Sequence, residues 1–353
     1  MPTTRGLFAC EAGWEEPLAD ELGRVLPGCT RTVLPGGWIA VEFSDAELPP
    51  QPCLALVRQS LPNAEEMQTP SITAWSERLG HWLIEHLAGH DGPWRCHLFA
   101  NPHPQARVTA RRAELIGGEV DKLLRKKQRR LLRSRVERPE TLLAADEVLV
   151  QLALTEPDRG YASYCSPADV ARWRQCLSRF AGGMVPVRAS REAPSRAMEK
   201  LAEAELRLGR EIAAGETCVD LGSSPGSWAW HALRQGAQVV AVDRSPLRAD
   251  LMEHPGLTFV RGDAFQYRPP QPVDWLLCDV IAFPQRTLEL LGQWLAGGWC
   301  RYFCVTIKFR GTSDYPLLEQ FKAELDRLAD PYCLRRLTSN KNEVMAIGHA
   351  AHS

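Results

Sequence analysis

Residues 217–246 read TCVDLGSSPGSWAWHALRQGAQVVAVDRSP, and this pattern sets the fold. Cys218, Val219 and Leu221 make a short apolar strand carrying Asp220 and running into Gly222. The turn is Gly222-Ser223-Ser224-Pro225-Gly226-Ser227. A helix bearing Trp228, Trp230, His231 and Leu233 follows, and Gly236 ends it, as glycine commonly does. Residues 239–242 (VVAV) form a second apolar strand that closes on Asp243. A strand with no polar face is buried on both sides, as in a parallel sheet. An acidic residue about 20 residues beyond the glycine turn is placed to accept hydrogen bonds from a ribose diol.

Two cofactor classes use this layout. A dinucleotide needs G-x-G-x-x-G, so that backbone N–H groups reach its pyrophosphate. Here Ser224 takes the place of the second glycine, and Pro225 after it has no N–H to give. The turn suits a cofactor without phosphate, S-adenosylmethionine (SAM). NAD, FAD and a purely structural turn are the alternatives.

The pattern repeats downstream. Residues 257–260 (LTFV) read as a strand leading to Asp263, which is placed to accept from an adenine amino group. Residues 273–280 (VDWLLCDV) end a strand near Asp279, at the carboxyl edge where open α/β sheets hold ligands. Residues 302–308 (YFCVTIK) close on Lys308, and residues 342–348 (NEVMAIG) begin with Glu343. Helices are expected at 288–295 and 315–328. Upstream, 195–204 (SRAMEKLAEA) predicts a helix with a serine start that turns Lys200 toward the cleft.

Lys200, Asp279, Lys308 and Glu343 balance in charge, and buried charges must be paired. Methyl transfer to an alcohol needs a base for the hydroxyl proton. A lysine beside another cation and partly desolvated can shed its proton near neutral pH. Lys308 is the candidate base, Lys200 its perturbing neighbour and the orienter of the hydroxyl, and Asp279 and Glu343 their supports; separate surface salt bridges are the alternative. The [N/D]-P-P-[Y/F] turn of amino-group methyltransferases is absent after Cys278, where Asp279-Val280-Ile281 stands. Cys278 lies inside the strand, without the Pro-Cys setting of cytosine C5 methylation.

S-R-x-x-x-K-L-x-E-A from Ser195, D-L-G-x-x-P-G-x-W from Asp220, V-D at Asp243, D-x-F at Asp263, L-x-C-D at Asp279, I-K at Lys308 and N-E-V at Glu343 together resemble the RrmJ/FtsJ-like ribose 2′-O-methyltransferases with their K-D-K-E tetrad. The set is most similar to the RlmM-type family, which joins an N-terminal THUMP-containing region to the SAM domain and methylates a cytidine of 23S ribosomal RNA. The resemblance covers residues 194–348; the first 150 residues match only in the order of their elements. It implies Lys200, Asp279, Lys308 and Glu343 as catalytic residues. It implies Gly222, Ser224, Pro225, Gly226, Ser227, Trp228, Asp243, Asp263 and Asp279 as cofactor contacts. Two departures stand out. The family's C-P-G-G is Ser224-Pro225-Gly226-Ser227 here, and the second serine of its S-R-S start is Ala197, so a backbone contact would have to serve there.

The rest of the chain bounds the partners. At 353 residues, two or three domains of about 150 residues are expected. Lysine and arginine total 42 against 43 acidic residues, so any nucleic-acid contact must be a local patch. That patch lies in 107–138, which reads as a basic helical stretch. Lys122, Arg125, Lys126, Lys127, Arg129, Arg130, Arg133, Arg135 and Arg138 crowd together over a stripe of Leu123, Leu124, Leu131 and Leu132. A phosphate-binding face explains the crowding, and a solvated helix face is the alternative. Residues 74–90 predict a helix with His81, His86 and His90; a solvated face is the stronger reading than a His86–His90 metal pair. Residues 147–154 (EVLVQLAL) predict an alternating strand.

The eleven cysteines include no C-x-x-C pair, so reduced thiols and no metal are expected. Residues 1–25 lack the apolar core of a signal peptide, and no run nears a membrane span. The domain reading is a small α/β subdomain at 1–55, a THUMP-like α+β RNA-binding domain at 56–165, a linker at 166–193 and a Rossmann-like SAM methyltransferase domain at 194–353. The expected function is cytoplasmic 2′-O-methylation of ribosomal RNA. Another RNA, a small-molecule acceptor, or RNA binding with SAM but no catalysis are the alternatives.

Overall fold

The computed structural model describes residues 3–44, 48–103, 106–137 and 141–351. The chain forms two compact units, 1–184 and 185–353.

The first unit holds two sheets. One is antiparallel, in the order β2-β3-β1-β4, from β1 (Thr3–Ala9), β2 (Thr30–Leu34), β3 (Trp38–Ser44) and β4 (Gln59–Leu61). Helix α1 (Glu15–Val25) joins β1 to β2 and buries Leu18 and Leu22, as its spacing predicts. The buried Glu21 on it accepts the N–H groups of Ala55 (2.7 Å) and Leu56 (3.0 Å). This sheet draws in β4, beyond the boundary expected at residue 55.

The other sheet runs β5-β8-β7-β6, from β5 (Ala64–Gln68), β6 (Trp94–Ala100), β7 (Val148–Leu154) and β8 (Arg159–Cys165), with only β6 and β7 parallel. Helices α2 (Ile72–His86) and α3 (Arg107–Lys127) bury Trp75, Leu79, Ile116 and Leu124 in a core with Val148, Val150 and Leu152. Strand β7 does not alternate; every position is buried. Its Gln151 is tolerated inside because it bonds Gln59 (2.5 Å) and the Ser60 carbonyl (2.8 Å), which satisfies a buried amide.

Helix α2 stops before His90. His86 Nδ1 lies 2.9 Å from the Trp82 carbonyl, and His90 Nε2 lies 3.1 Å from that of Pro93, so the two rings are engaged separately. The basic stretch is two helices rather than one: α3 ends at Lys127, Gln128 leaves the helical region, and α4 covers Arg129–Ser134. Arg135 leaves the patch and pairs with Asp121 at 2.5 Å; Arg138 lies outside the described residues. In the stretch expected as a linker, Ser166 and Asp169 cap α5 (Pro167–Arg172). Trp173 is buried against Phe8 and Phe43, so 166–184 packs as part of the first unit.

The second unit is a Rossmann-like α/β layer. Its elements are α6 (Met198–Leu208), β9 (Thr217–Leu221), α7 (Ser227–Arg234), β10 (Gln238–Asp243), α8 (Ala249–Met252), β11 (Leu257–Arg261), β12 (Val273–Cys278), α9 (Pro284–Ala296), β13 (Cys300–Lys308), α10 (Leu317–Leu328), β14 (Ala329–Arg335) and β15 (Glu343–Ala350). The seven strands are ordered β11-β10-β9-β12-β13-β15-β14. The first five are parallel, and β15 is antiparallel to both its neighbours. Strand β14 was not foreseen. Chain order reverses beside β9, which opens a crevice at the carboxyl ends of β9, β10 and β12. The serine start expected for α6 is not its cap: the helix begins at Met198, and Ser195 Oγ lies 2.7 Å from Ser227 Oγ instead.

Asp220 on β9 is 2% exposed and accepts the Ala229 N–H at 3.0 Å. Burial raises its pKa from 3.8 to about 8. In the folded chain it therefore keeps a proton that the unfolded chain loses near pH 3.8. Its contribution to stability is whole below that pH and drains away as pH rises through about 8. The urea midpoint should fall between pH 5 and pH 8, and Asp220→Asn should flatten the fall; an equal slope in the variant refutes this.

Candidate active site

Three strand ends and one helix deliver the four charged residues to one place. Helix α6 turns Lys200 inward with Leu201 and Ala204. Asp279 follows β12, Lys308 closes β13, and Glu343 opens β15 directly across from Lys308 in the antiparallel register. Lys200 Nζ is 2.6 Å from Glu343 Oε1 and 3.2 Å from Asp279 Oδ2. Lys308 Nζ is 3.0 Å from Asp279 Oδ1 and donates to the Asp279 carbonyl at 2.7 Å. Two ammonium groups and two carboxylates thus make one neutral cluster.

The four are not equally placed. The Lys200 and Glu343 side chains are 10% and 9% exposed, against 22% for Lys308. Asp279 and Lys308 line the adjoining cavity, whereas Lys200 and Glu343 stand behind them. Lys200, expected to orient an acceptor hydroxyl, ties the two carboxylates together. Sequence reading missed Asn340. Its amide donates to Glu343 Oε1 at 3.1 Å, and its oxygen accepts the Leu337 N–H at 2.6 Å. Arg336 holds that turn by donating to the carbonyls of Asn340 and Lys341 at 3.0 Å each. An asparagine three residues before the glutamate was the only trace of this in the sequence.

The cavity has a volume of about 510 Å³, within the range of about 300–1,000 Å³ usual for small-molecule sites. Of the expected cofactor contacts, Gly222, Ser224, Pro225, Ser227, Trp228, Asp243, Asp263 and Asp279 line it, and Gly226 does not. Gly226 shapes the turn: its φ is +106°, and a Cβ there would meet Leu251 at 2.5 Å. Gly222 has a φ of +72°, and a Cβ there would meet the Val280 Cβ at 3.0 Å and its Cα at 3.1 Å. Asp243 accepts the N–H groups of Ser224 (3.0 Å) and Ser245 (2.8 Å). Asp263 accepts the Phe265 N–H (2.9 Å) and Arg244 (2.7 Å), which together hold it below the usual carboxylate range.

At Ala197 the N–H donates to Ser195 Oγ at 3.2 Å, and the carbonyl accepts from the Trp228 indole at 2.8 Å. Both backbone groups are already engaged by the protein. The hydroxyl of Ser223 is buried and has no partner among the described residues. A glycine-tight turn, an unpartnered hydroxyl and acceptor carboxylates at the ends of adjacent strands fit a nucleoside-bearing cofactor such as SAM. Arg244, Phe265, Ile281 and Arg286 also line the cavity, and sequence reading had not named them as contacts.

The FtsJ-like methyltransferase family matches residues 193–293. The ribosomal RNA large subunit methyltransferase M of Alkalilimnicola ehrlichii is 32% identical over 318 residues, or 84% of this chain and 80% of that protein. Its counterpart in Azotobacter vinelandii is 34% identical over 267 residues, or 72% and 67%. That of Laribacter hongkongensis is 38% identical over 174 residues, or 46% of this chain and 49% of the relative. The chain thus spans about half the length of some curated relatives that it matches, including the one from Thauera aminoaromatica. With four-fifths of the Alkalilimnicola protein matched at 32% identity, the chain belongs to the ribosomal RNA large subunit methyltransferase M family.

Proposed function

We propose that the chain transfers a methyl group from SAM to the ribose 2′-hydroxyl of a cytidine in 23S ribosomal RNA. The observation that carries this is the neutral lysine–carboxylate cluster at the cavity wall, with Lys308 its most open member. Bound in the cavity, SAM would supply an activated methyl group on a sulfonium. Asp243 would accept from the ribose diol and Asp263 from the adenine amino group, with the turn from Gly222 through Trp228 closing over the cofactor. Lys308, acting in its free-amine form after giving its own proton to solvent, would take the proton from the 2′-oxygen as the oxygen–methyl bond forms and the methyl–sulfur bond breaks. Asp279 would hold Lys308 at that position. Lys200, Glu343 and Asn340 would fix Asp279 from behind.

The family names support ribosomal RNA as the substrate. The first unit supplies a reason of its own. All seven cations expected to bind RNA, Lys122, Arg125, Lys126, Lys127, Arg129, Arg130 and Arg133, are exposed. Lys122 pairs with Glu119, Arg130 with Asp91, and Lys127 meets His81. Arg125, Lys126, Arg129 and Arg133 make no ion pair among the described residues. On this reading 56–165 is the THUMP-like RNA-binding part, 194–353 the methyltransferase part, and the cytoplasm the working compartment. Among the described residues no helix is long and apolar enough to cross a membrane.

Lys308→Ala should slow methyl transfer about 10²–10⁴-fold, the usual worth of a positioned base, while SAM affinity measured by calorimetry stays near wild type. Full activity in that variant removes the base assignment. Mapping 2′-O-methyl groups in ribosomal RNA with and without the protein tests the substrate. Replacing Arg125, Lys126, Arg129 and Arg133 with glutamine should weaken RNA binding. It should also flatten the salt dependence by a slope of about 3, at ~0.7 per phosphate contact with single strands. An unchanged slope removes the patch.

A further inference from the structure

We infer that Phe283 and Arg310 form a stacking platform for the nucleobase of the acceptor nucleotide, presented as single-stranded RNA. The inference rests on the proposed transfer to RNA and adds to it the surface that would hold the base.

Both residues grow directly out of the reactive cluster. Phe283 stands four positions after Asp279, and Arg310 two positions after Lys308. Two residues of chain span at most about 7 Å, so Arg310 cannot lie far from Lys308 along the backbone. The Arg310 guanidinium sits over the Phe283 ring at 4.1 Å from its centroid. Phe283 is 52% exposed, and it is the only aromatic among the exposed large hydrophobic side chains of the described residues. Ile281, on the same loop, is 89% exposed. Arg310 is exposed and makes no ion pair among the described residues.

Position separates this pair from the cofactor cavity. Ile281 lines the cavity, but Phe283 and Arg310 do not. A second such pair, Arg286 over Phe265 at 4.0 Å, does line it. The outer pair would therefore stay open when the cavity is filled, with Ile281 at the rim between them.

The chemistry of the pair suits a base rather than a peptide or a lipid. A flat ring and a flat guanidinium offer stacking surfaces together with one positive charge. Proteins read unpaired RNA by stacking its bases on such groups. The base to be held is joined to the same ribose whose 2′-oxygen would face Lys308. Its capture would set the sugar at the reactive lysine, which a phosphate grip elsewhere cannot do.

The test is fluorescence anisotropy with the full chain saturated by S-adenosylhomocysteine. The probes are a short oligocytidine RNA and the same RNA with abasic positions. Wild type should prefer the base-bearing RNA. Phe283→Ala should lose about tenfold on it, from the ~1–3 kcal/mol that one stacked base contributes, and nothing on the abasic RNA. Phe283→Trp should restore the preference, and Arg310→Ala should lose part of it. S-adenosylhomocysteine binding at wild-type strength confirms that each variant is folded. Equal binding of the two RNAs by wild type, or equal loss on both RNAs in Phe283→Ala, overturns the platform. Methyl transfer to unmodified 23S RNA is measured on the same proteins. An active wild type without base preference removes the platform alone. An inactive wild type that keeps the preference removes the methyltransferase reading and leaves the platform.

Discussion

One carboxylate shared by two ammonium groups sets the terms for the second unit. Asp279 lies 3.2 Å from Lys200 and 3.0 Å from Lys308. Lys200 and Glu343, the two buried members, could not sit in this place alone, because an unpaired buried charge costs several kcal/mol. Without Asp279, Lys308 would lose the only carboxylate within ion-pair distance among the described residues. The cluster is therefore satisfied only when the ends of β12 and β13, the start of β15 and the second half-turn of α6 all arrive together. Register matters to the same degree. Lys308 faces Glu343 across the β13–β15 ladder, and a slip of one residue would turn one of them to the opposite face of the sheet.

The antiparallel strand makes this meeting possible. In a parallel sheet, every strand brings its carboxyl end to the ligand edge. A residue at the start of a strand lies at the far edge. Strand β15 runs the other way, so its first residue, Glu343, reaches the edge where β9, β12 and β13 end. The same edge holds the cavity, because the strand order reverses beside β9 and leaves a crevice there. Charge cluster and cofactor cavity are two consequences of one topology.

Much of this was legible in the sequence because the signals were local. Apolar runs closed by a charged residue marked β9, β10, β12 and β13, and the glycine turn marked the start of α7. What was hidden depended on distant partners. Nothing in residues 329–335 (ADPYCLR) announces a strand; β14 exists because β15 offers it an edge. The alternation expected in β7 disappears because both faces of that strand are covered, and its one polar side chain finds Gln59 from far away in the chain. Ser195 resembles a helix cap by spacing, yet its hydroxyl finds Ser227 across the fold. Arg135 counts as one more basic residue in the sequence, but Asp121 pulls it out of the patch. The deeper burial of Lys200 relative to Lys308 was equally invisible, because both are lysines of one motif.

Neutrality at the cluster constrains what else an RNA-methylating chain must contain. RNA carries a negative charge at each phosphate, and a cation already held by a carboxylate has little left to offer it. Lys200 and Lys308 are both so held. On the proposed reading, the cluster can act on a ribose but cannot retain the strand, so affinity must come from cations with no carboxylate of their own. The described residues supply these in two kinds. Arg125, Lys126, Arg129 and Arg133 are exposed on α3 and α4, suited to backbone phosphates of any sequence. Arg310 stands singly over an aromatic ring two positions from Lys308, suited to one base. A net charge of -1 is compatible with both, because what recruits the polyanion is the local excess left after pairing and not the sum over the chain.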